Sequence, residues 1–326
     1  MSRLDELRQR DQLLDWVEQG LLRPEQAARA LAPGGLQPSA RHWRLALDRV
    51  LGFLGSVLLA LGVIFFFAFN WDDMHRLLKV GLALLVLSGF AGTALWVRAG
   101  STLYRASLFG AALTTGAALA VVGQIYQTGA DVWQLFAGWA VLMLPWVVLS
   151  RSTAGWPLFW LVANLALARY FAVQHSWPGF GLYGVRGLFG IAAANLLMLL
   201  LFELVGGRLA PGSGRILPRL SGLVLLLALS TGACIGWEQG AYRPFLVALG
   251  LLYLVALPAY LEVRRDLLML ALMAYSMVGV GSAGLGHWLA DQVDHFTLLN
   301  LLGLIVLVGS SLATLWLHRL YREHGH

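Results

Sequence analysis

Glu203 stands alone in an apolar run, Leu-Leu-Leu-Phe-Glu203-Leu-Val-Gly-Gly-Arg208. A carboxylate there could take up and release a proton, because an apolar medium penalises its charged form. It also lies within a turn or two of the end of that run. There it could instead reach the interface and pair with Arg208 as a structural contact. His287, Asp291 and His295 recur every fourth residue, on one face of a helix if 287–295 is helical. Imidazole and carboxylate so placed can meet a divalent ion. The chain has no His-Glu-x-x-His sequence and one cysteine, Cys234, so solvated loop residues explain the triplet better and no metal is expected. Gly279-Val280-Gly281-Ser282-Ala283-Gly284 spells G-x-G-x-x-G. A nucleotide fingerprint needs a strand before it and a soluble helix after it, whereas this run sits inside an apolar stretch. Small residues there, and in Gly232-Ala-Cys-Ile-Gly236, suit close helix packing. Ser282 lacks the G-x-S-x-G frame, because Val280 replaces the first glycine. No phosphate loop is present either. The chain is expected to be neither an enzyme nor the carrier of a cofactor.

A second polar group marks the ends of two apolar runs. The first run ends Phe-Ala-Phe-Asn70-Trp71-Asp72-Asp73-Met-His75-Arg76. The third ends Val-Gly123-Gln124-Ile-Tyr126-Gln127-Thr128-Gly129-Ala-Asp131. An amide left unpaired in an apolar setting costs about 1–3 kcal/mol. These residues therefore either cap and bridge helix ends, or line a polar outer pocket made of Asn70, Asp72, Asp73, Gln124, Tyr126, Gln127 and Asp131. Asn164, Asn195 and Asn300 fall in the middle of apolar runs, where amides commonly join helices. Arg169 is expected to snorkel outward past Tyr170.

The elements that must hold these residues follow from composition. Of 326 residues, 59% are hydrophobic and 12% charged; soluble domains have about 45–50% and about 25%. A bilayer supplies no water to the backbone, so each apolar run must close its own hydrogen bonds as a helix of about 20 residues. Spans are expected near 48–69, 78–97, 106–125, 134–150, 156–173, 186–205, 218–236, 243–262, 267–287 and 296–317. The net charge is +6, and every basic residue except Lys79 is arginine. Arginines before residue 50 fall on one side of this arrangement. Arg98, Arg105, Arg151, Arg208, Arg215, Arg219, Arg264, Arg265, Arg319 and Arg322 share that side. The other side keeps Arg76, Lys79, Arg186 and Arg243, with Arg169 near it. The bias places both termini in the cytoplasm. The charge is thus a topology signal with some attraction to anionic lipid, and nucleic acid is not an expected partner. Trp71, Trp133, Trp177, Trp237 and Trp288 close the outward-going spans, as an aromatic belt or as five related hairpins.

The N-terminal residues carry no apolar core with a cleavage site. Ser2, then Asp5 and Glu6, start a helix with Leu4, Leu7, Leu14 and Val17 on one stripe; Pro24 opens a second. This pair, a first span ending Asn70-Trp71-Asp72-Asp73, and a third ending Gly123-Gln124-Ile125-Tyr126-Gln127 together resemble a bacterial membrane family. That family is catalogued as domain of unknown function twenty-one fifty-seven. The likeness covers roughly residues 1–150. It implies a bacterial inner-membrane protein and no catalytic residue.

The expected fold is an all-α polytopic membrane protein of about ten transmembrane helices. A cytosolic helical hairpin occupies 1–35, a linker and interfacial helix 36–47, the bundle 48–317 and a cytoplasmic tail 318–326. The expected role is a non-enzymatic subunit or scaffold of an envelope complex. Its partners would be the lipid bilayer, a membrane or periplasmic protein, or a second copy of the chain. The alternative is a secondary transporter of a small solute or lipid, with a mid-membrane cavity lined by Asn164, Asn195, Glu203 or Asn300. An intramembrane enzyme is the third class.

Overall fold

The computed structural model describes residues 40–69, 74–126, 129–173, 184–209 and 214–323. The N-terminal helical pair and Asn70, Trp71, Asp72, Asp73, Gln127 and Trp177 lie outside the described residues.

Ten helices long and apolar enough to cross a membrane occupy the described residues. They are α1 (Ala40–Phe69), α2 (Arg76–Trp96), α3 (Thr102–Tyr126), α4 (Val132–Ser150), α5 (Gly155–Val173), α6 (Val185–Leu209), α7 (Ile216–Gly236), α8 (Arg243–Pro258), α9 (Leu267–Leu289) and α10 (His295–Glu323). A 3-10 turn (Gly240–Tyr242) leads into α8, and a π-helical turn (Ala259–Val263) extends it. The protein is an all-α polytopic membrane protein. Helix α1 already begins at Ala40, within the stretch expected as linker and interfacial helix (36–47), and α10 runs on to Glu323, into the expected tail (318–326).

Local chemistry explains the tight turns. The α4–α5 connection is only a few residues long, yet two serines cap its helix ends. Arg151 turns left-handed (φ 44°) and stops α4. Ser150 Oγ donates to the Val147 carbonyl at 2.9 Å, and Ser152 Oγ accepts from the Gly155 N–H at 3.1 Å. One orphan carbonyl of α4 and one orphan N–H of α5 thereby find partners.

Two helices serve as pillars. Helix α3 packs against α1, α2 and α4, and α7 packs against α6, α8 and α9. Helix α5 lies on α4, and α10 lies on α9. The pillars are the most buried spans because their contact faces are small. On α3, Gly110 admits the Phe90 ring and Gly116 the Trp139 indole. Trp139 Nε1 then donates to the Ala112 carbonyl at 2.8 Å, and Trp146 Nε1 to Thr115 Oγ1 at 3.2 Å. On α7, Gly222 takes Met269 and Gly232 takes Phe245, and a Cβ at Gly236 would stand 2.8 Å from the Tyr242 carbonyl oxygen. The expected packing role of Gly232 and Gly236 is therefore observed. In the α9 glycine run, Gly284 seats Trp237 and Gly286 seats Leu302, while Gly279 and Gly281 face open space.

Candidate functional site

Two of the three mid-span amides, Asn164 and Asn195, come together between α5 and α6. Asn195 of α6 is 1% exposed. Its Nδ2 donates to Asn164 Oδ1 on α5 at 2.7 Å and to the Ile191 carbonyl at 3.0 Å. Its Oδ1 accepts from Trp160 Nε1 at 3.2 Å. Asn164 Nδ2 donates to the Trp160 carbonyl at 2.9 Å. Nearby, Trp156 Nε1 donates to the Leu209 carbonyl, and its ring meets Phe202 edge to face. This seam joins α5 to α6 by hydrogen bonds, which keep their value where lipid offers no competing water. A separate hydroxyl chain links Ser230 of α7 to Ser276 of α9 and, at 2.6 Å, Tyr253 of α8 to Ser276. Asn300 is exposed on α10 and donates to its own helix at Phe296.

Glu203 does not pair with Arg208, which has no ion-pair partner among the described residues. Arg208 follows five positions later, about 140° around an ideal helix. Glu203 instead accepts from Arg215 at the start of α7 and from Tyr260 Oη in the π-helical turn at 3.0 Å. Arg264 Nε lies 3.4 Å from the second carboxylate oxygen, and Arg264 Nη2 donates to the Glu203 carbonyl at 3.0 Å. Arg215 Nη1 donates to the Arg264 carbonyl at 2.8 Å, and its guanidinium lies over the Tyr260 ring. Arg215 also reaches Asp266, whose Oδ2 is 3.1 Å from Arg215 Nε and 3.0 Å from Arg219 Nε. Asp266 caps α9 as well, accepting from Leu268 N–H at 3.1 Å and Met269 N–H at 3.4 Å. Burial pushes the Asp266 carboxyl upward. The Arg219 hydrogen bond and the Arg215 and Arg219 charges more than reverse this, so its pKa lies below the ordinary aspartate value. The result is a clasp that ties the end of α6 and the start of α7 to the α8–α9 turn.

The clasp escaped sequence reasoning except for Glu203. A signal existed for Asp266: an Asx residue directly before the apolar run that starts at Leu267 reads as an N-cap. Nothing local marks Tyr260 or Arg215, since their partners lie 57 and 12 residues away.

At the opposite end of the bundle, Gln124 and Asp131 line one cleft between the last turns of α3 and the first turns of α4. Its volume is about 430 Å³. Leu119, Val122 and Leu135 form apolar walls, with Gly123 and Gly138 between them. Gln134 Oε1 accepts from the Asp131 N–H at 3.1 Å, and the Gln134 N–H donates to the Asp131 carbonyl at 2.9 Å, which fixes the start of α4. Tyr126 is 58% exposed and does not line this cleft. Asn70, Asp72, Asp73 and Gln127 fall outside the described residues. Lys79 is buried near the start of α2, and Arg169 is exposed beside Tyr170, which stacks edge to face on Trp133 at 5.0 Å.

His287, Asp291 and His295 do not share a helical face. Helix α9 ends at Leu289 and α10 begins at His295, so the turn between them breaks the alignment. Among the described residues no group of three His, Cys, Asp or Glu side chains is placed to hold a metal. Ser282 Oγ donates to the Val278 carbonyl of its own helix at 2.7 Å.

No curated protein and no solved structure matches the chain. Residues 14–156, which run from the N-terminal region through α4 to the first turn of α5, match the family described as predicted membrane protein (DUF2157). Over that stretch, holding the α3 pillar and the glycine-lined cleft, the chain is similar to a family of membrane proteins of unknown function.

Proposed function

We propose that this integral membrane protein is a non-enzymatic subunit or scaffold of an envelope complex. It would reside in a bacterial inner membrane with both termini in the cytoplasm. The observation that carries this reading is that Asn164, Asn195 and Glu203 are held by partners on their own and neighbouring elements. Asn164, Asn195 and Trp160 hydrogen-bond one another in a seam between α5 and α6. Glu203 is held by two arginines and a tyrosine. A transporter needs such groups to face water and to exchange partners during turnover. Here they tie helices together, as a rigid platform requires. The arginine distribution supports the orientation, with the clasp on the cytoplasmic side.

Two measurements test the proposal. The full chain is reconstituted in liposomes and assayed for flux of small solutes and lipids, alongside Asn195→Leu and Glu203→Gln. The expected result is no flux attributable to the protein. In cells, both variants that accumulate normally should retain the wild-type phenotype. Flux that Asn195→Leu abolishes while the protein stays folded would establish the transporter reading instead.

A further inference from the structure

The cleft between α3 and α4 has no role in the clasp or the amide seam. We propose that it is a lipid site, taking one aliphatic chain of an amphiphile whose headgroup carries an ammonium group. This inference goes beyond the scaffold reading and does not depend on it.

Three observations converge. The first is size and position. A cleft of about 430 Å³ falls in the range of small-molecule sites. It runs along the final turns of one span and the opening turns of the next, so one part lies at hydrocarbon depth and the other at the interface. An occupant therefore enters sideways from the bilayer. The second is shape. A Cβ built on Gly123 meets no atom within 4 Å, and one on Gly138 meets only Leu119 Cδ1 at 3.8 Å. At other α3 glycines the space is taken by a ring, Phe90 at Gly110 and Trp139 at Gly116. The cleft is thus a stretch along α3 that the described residues leave unfilled, with Leu119, Val122 and Leu135 as walls.

The third is charge. Asp131 and Gln124 line the interfacial part, both exposed, and no cation is among the described residues that line it. Asp131 forms no ion pair among the described residues. An acyl chain gains little by leaving lipid for an apolar groove, since lipid tails are as apolar as leucine. Selectivity must therefore come from the headgroup. A carboxylate with an amide beside it favours an ammonium donor and disfavours an anionic headgroup.

The test uses the full chain in nanodiscs with trace photoreactive phospholipids. Each carries a diazirine in the acyl chain and either an ethanolamine or a glycerol headgroup, and labelled peptides are mapped. The ethanolamine lipid should label residues 119–138 above other lipid-facing spans. It should exceed the glycerol lipid there by roughly two- to fivefold, as one interfacial ion pair allows. Gly123→Leu fills the cleft and should cut that labelling by about tenfold, while Gly279→Leu, at an equally open glycine on α9, should not. Asp131→Asn keeps an N-cap residue and should equalise the two lipids without removing the label. Uniform labelling of all lipid-facing spans, or labelling unchanged by Gly123→Leu, would overturn the site. A preference that survives Asp131→Asn would overturn the ammonium assignment.

Discussion

Replacing Asp266 probes the clasp most directly. Its side chain is 0% exposed and serves two arginines and two backbone N–H groups. Deleting one partner of a buried ion pair costs about 3–5 kcal/mol when the stranded charge stays buried. Arg215 and Arg219 keep 27% and 42% of their side-chain exposure, so both can turn toward water. Exposed pairs are worth about 0–1 kcal/mol, which sets the lower bound. Asp266→Asn preserves an N-cap carbonyl while losing the charge, and a cost of about 2 kcal/mol is expected. Asp266→Ala loses the cap as well and should cost about 1 kcal/mol more. The assay is denaturant or thermal unfolding of purified protein, read by a fluorogenic maleimide. Cys234, the only cysteine, is partly buried in α7, the helix whose start the clasp holds, and reports loss of packing around it. The pH dependence has a fixed sign. The folded-state pKa lies below the ordinary value of about 3.9, so the unfolded chain binds more protons between the two values. The Asp266 contribution is therefore complete above about pH 4 and disappears as pH falls through the folded-state pKa. The gap between wild type and Asp266→Asn should close over that window. Equal stability of wild type and Asp266→Asn at pH 7, or equal stability of the Asn and Ala variants, would refute the reasoning.

Other outcomes follow from the same geometry. Asn195→Leu strands Asn164 and Trp160 Nε1 and should lower stability by about 1–2 kcal/mol in the same unfolding assay, with the protein still reaching the membrane. Gly232→Ala would drive a Cβ to within 2.4 Å of the buried Phe245 ring and should cost about 1–3 kcal/mol. Gly279→Ala meets nothing and should be neutral, or stabilising by up to about 1 kcal/mol through helix propensity, which a parallel melting curve checks. Reporter fusions in the turn at Arg264 and Arg265 should read cytoplasmic; a periplasmic signal there would reverse the proposed orientation.

The residue pattern alone determined the number and place of the spans. Each transmembrane helix closes its own backbone hydrogen bonds, so span formation is a local property of apolar length, and the ten expected runs match α1 to α10 within a few residues except at the start of α1 and the end of α10. Turn chemistry was local too, as Ser150, Arg151 and Ser152 show. The packing use of Gly232 and Gly236 was legible because small residues at that spacing leave only one practical role in lipid. Tertiary structure decided everything that depends on which side of a helix meets which neighbour. Glu203 turned from Arg208, its nearest cation in sequence, to Arg215, Arg264 and Tyr260, because a five-residue step points away on a helix. Trp237, readable as a belt residue, is seated on Gly284 and bonded to the Val280 carbonyl. His287, Asp291 and His295 lost their common face to a turn that their spacing could not reveal. Partner choice among helices of similar apolarity rests on shape and on a few polar atoms far apart in sequence. Only the folded bundle brings those atoms within bonding distance.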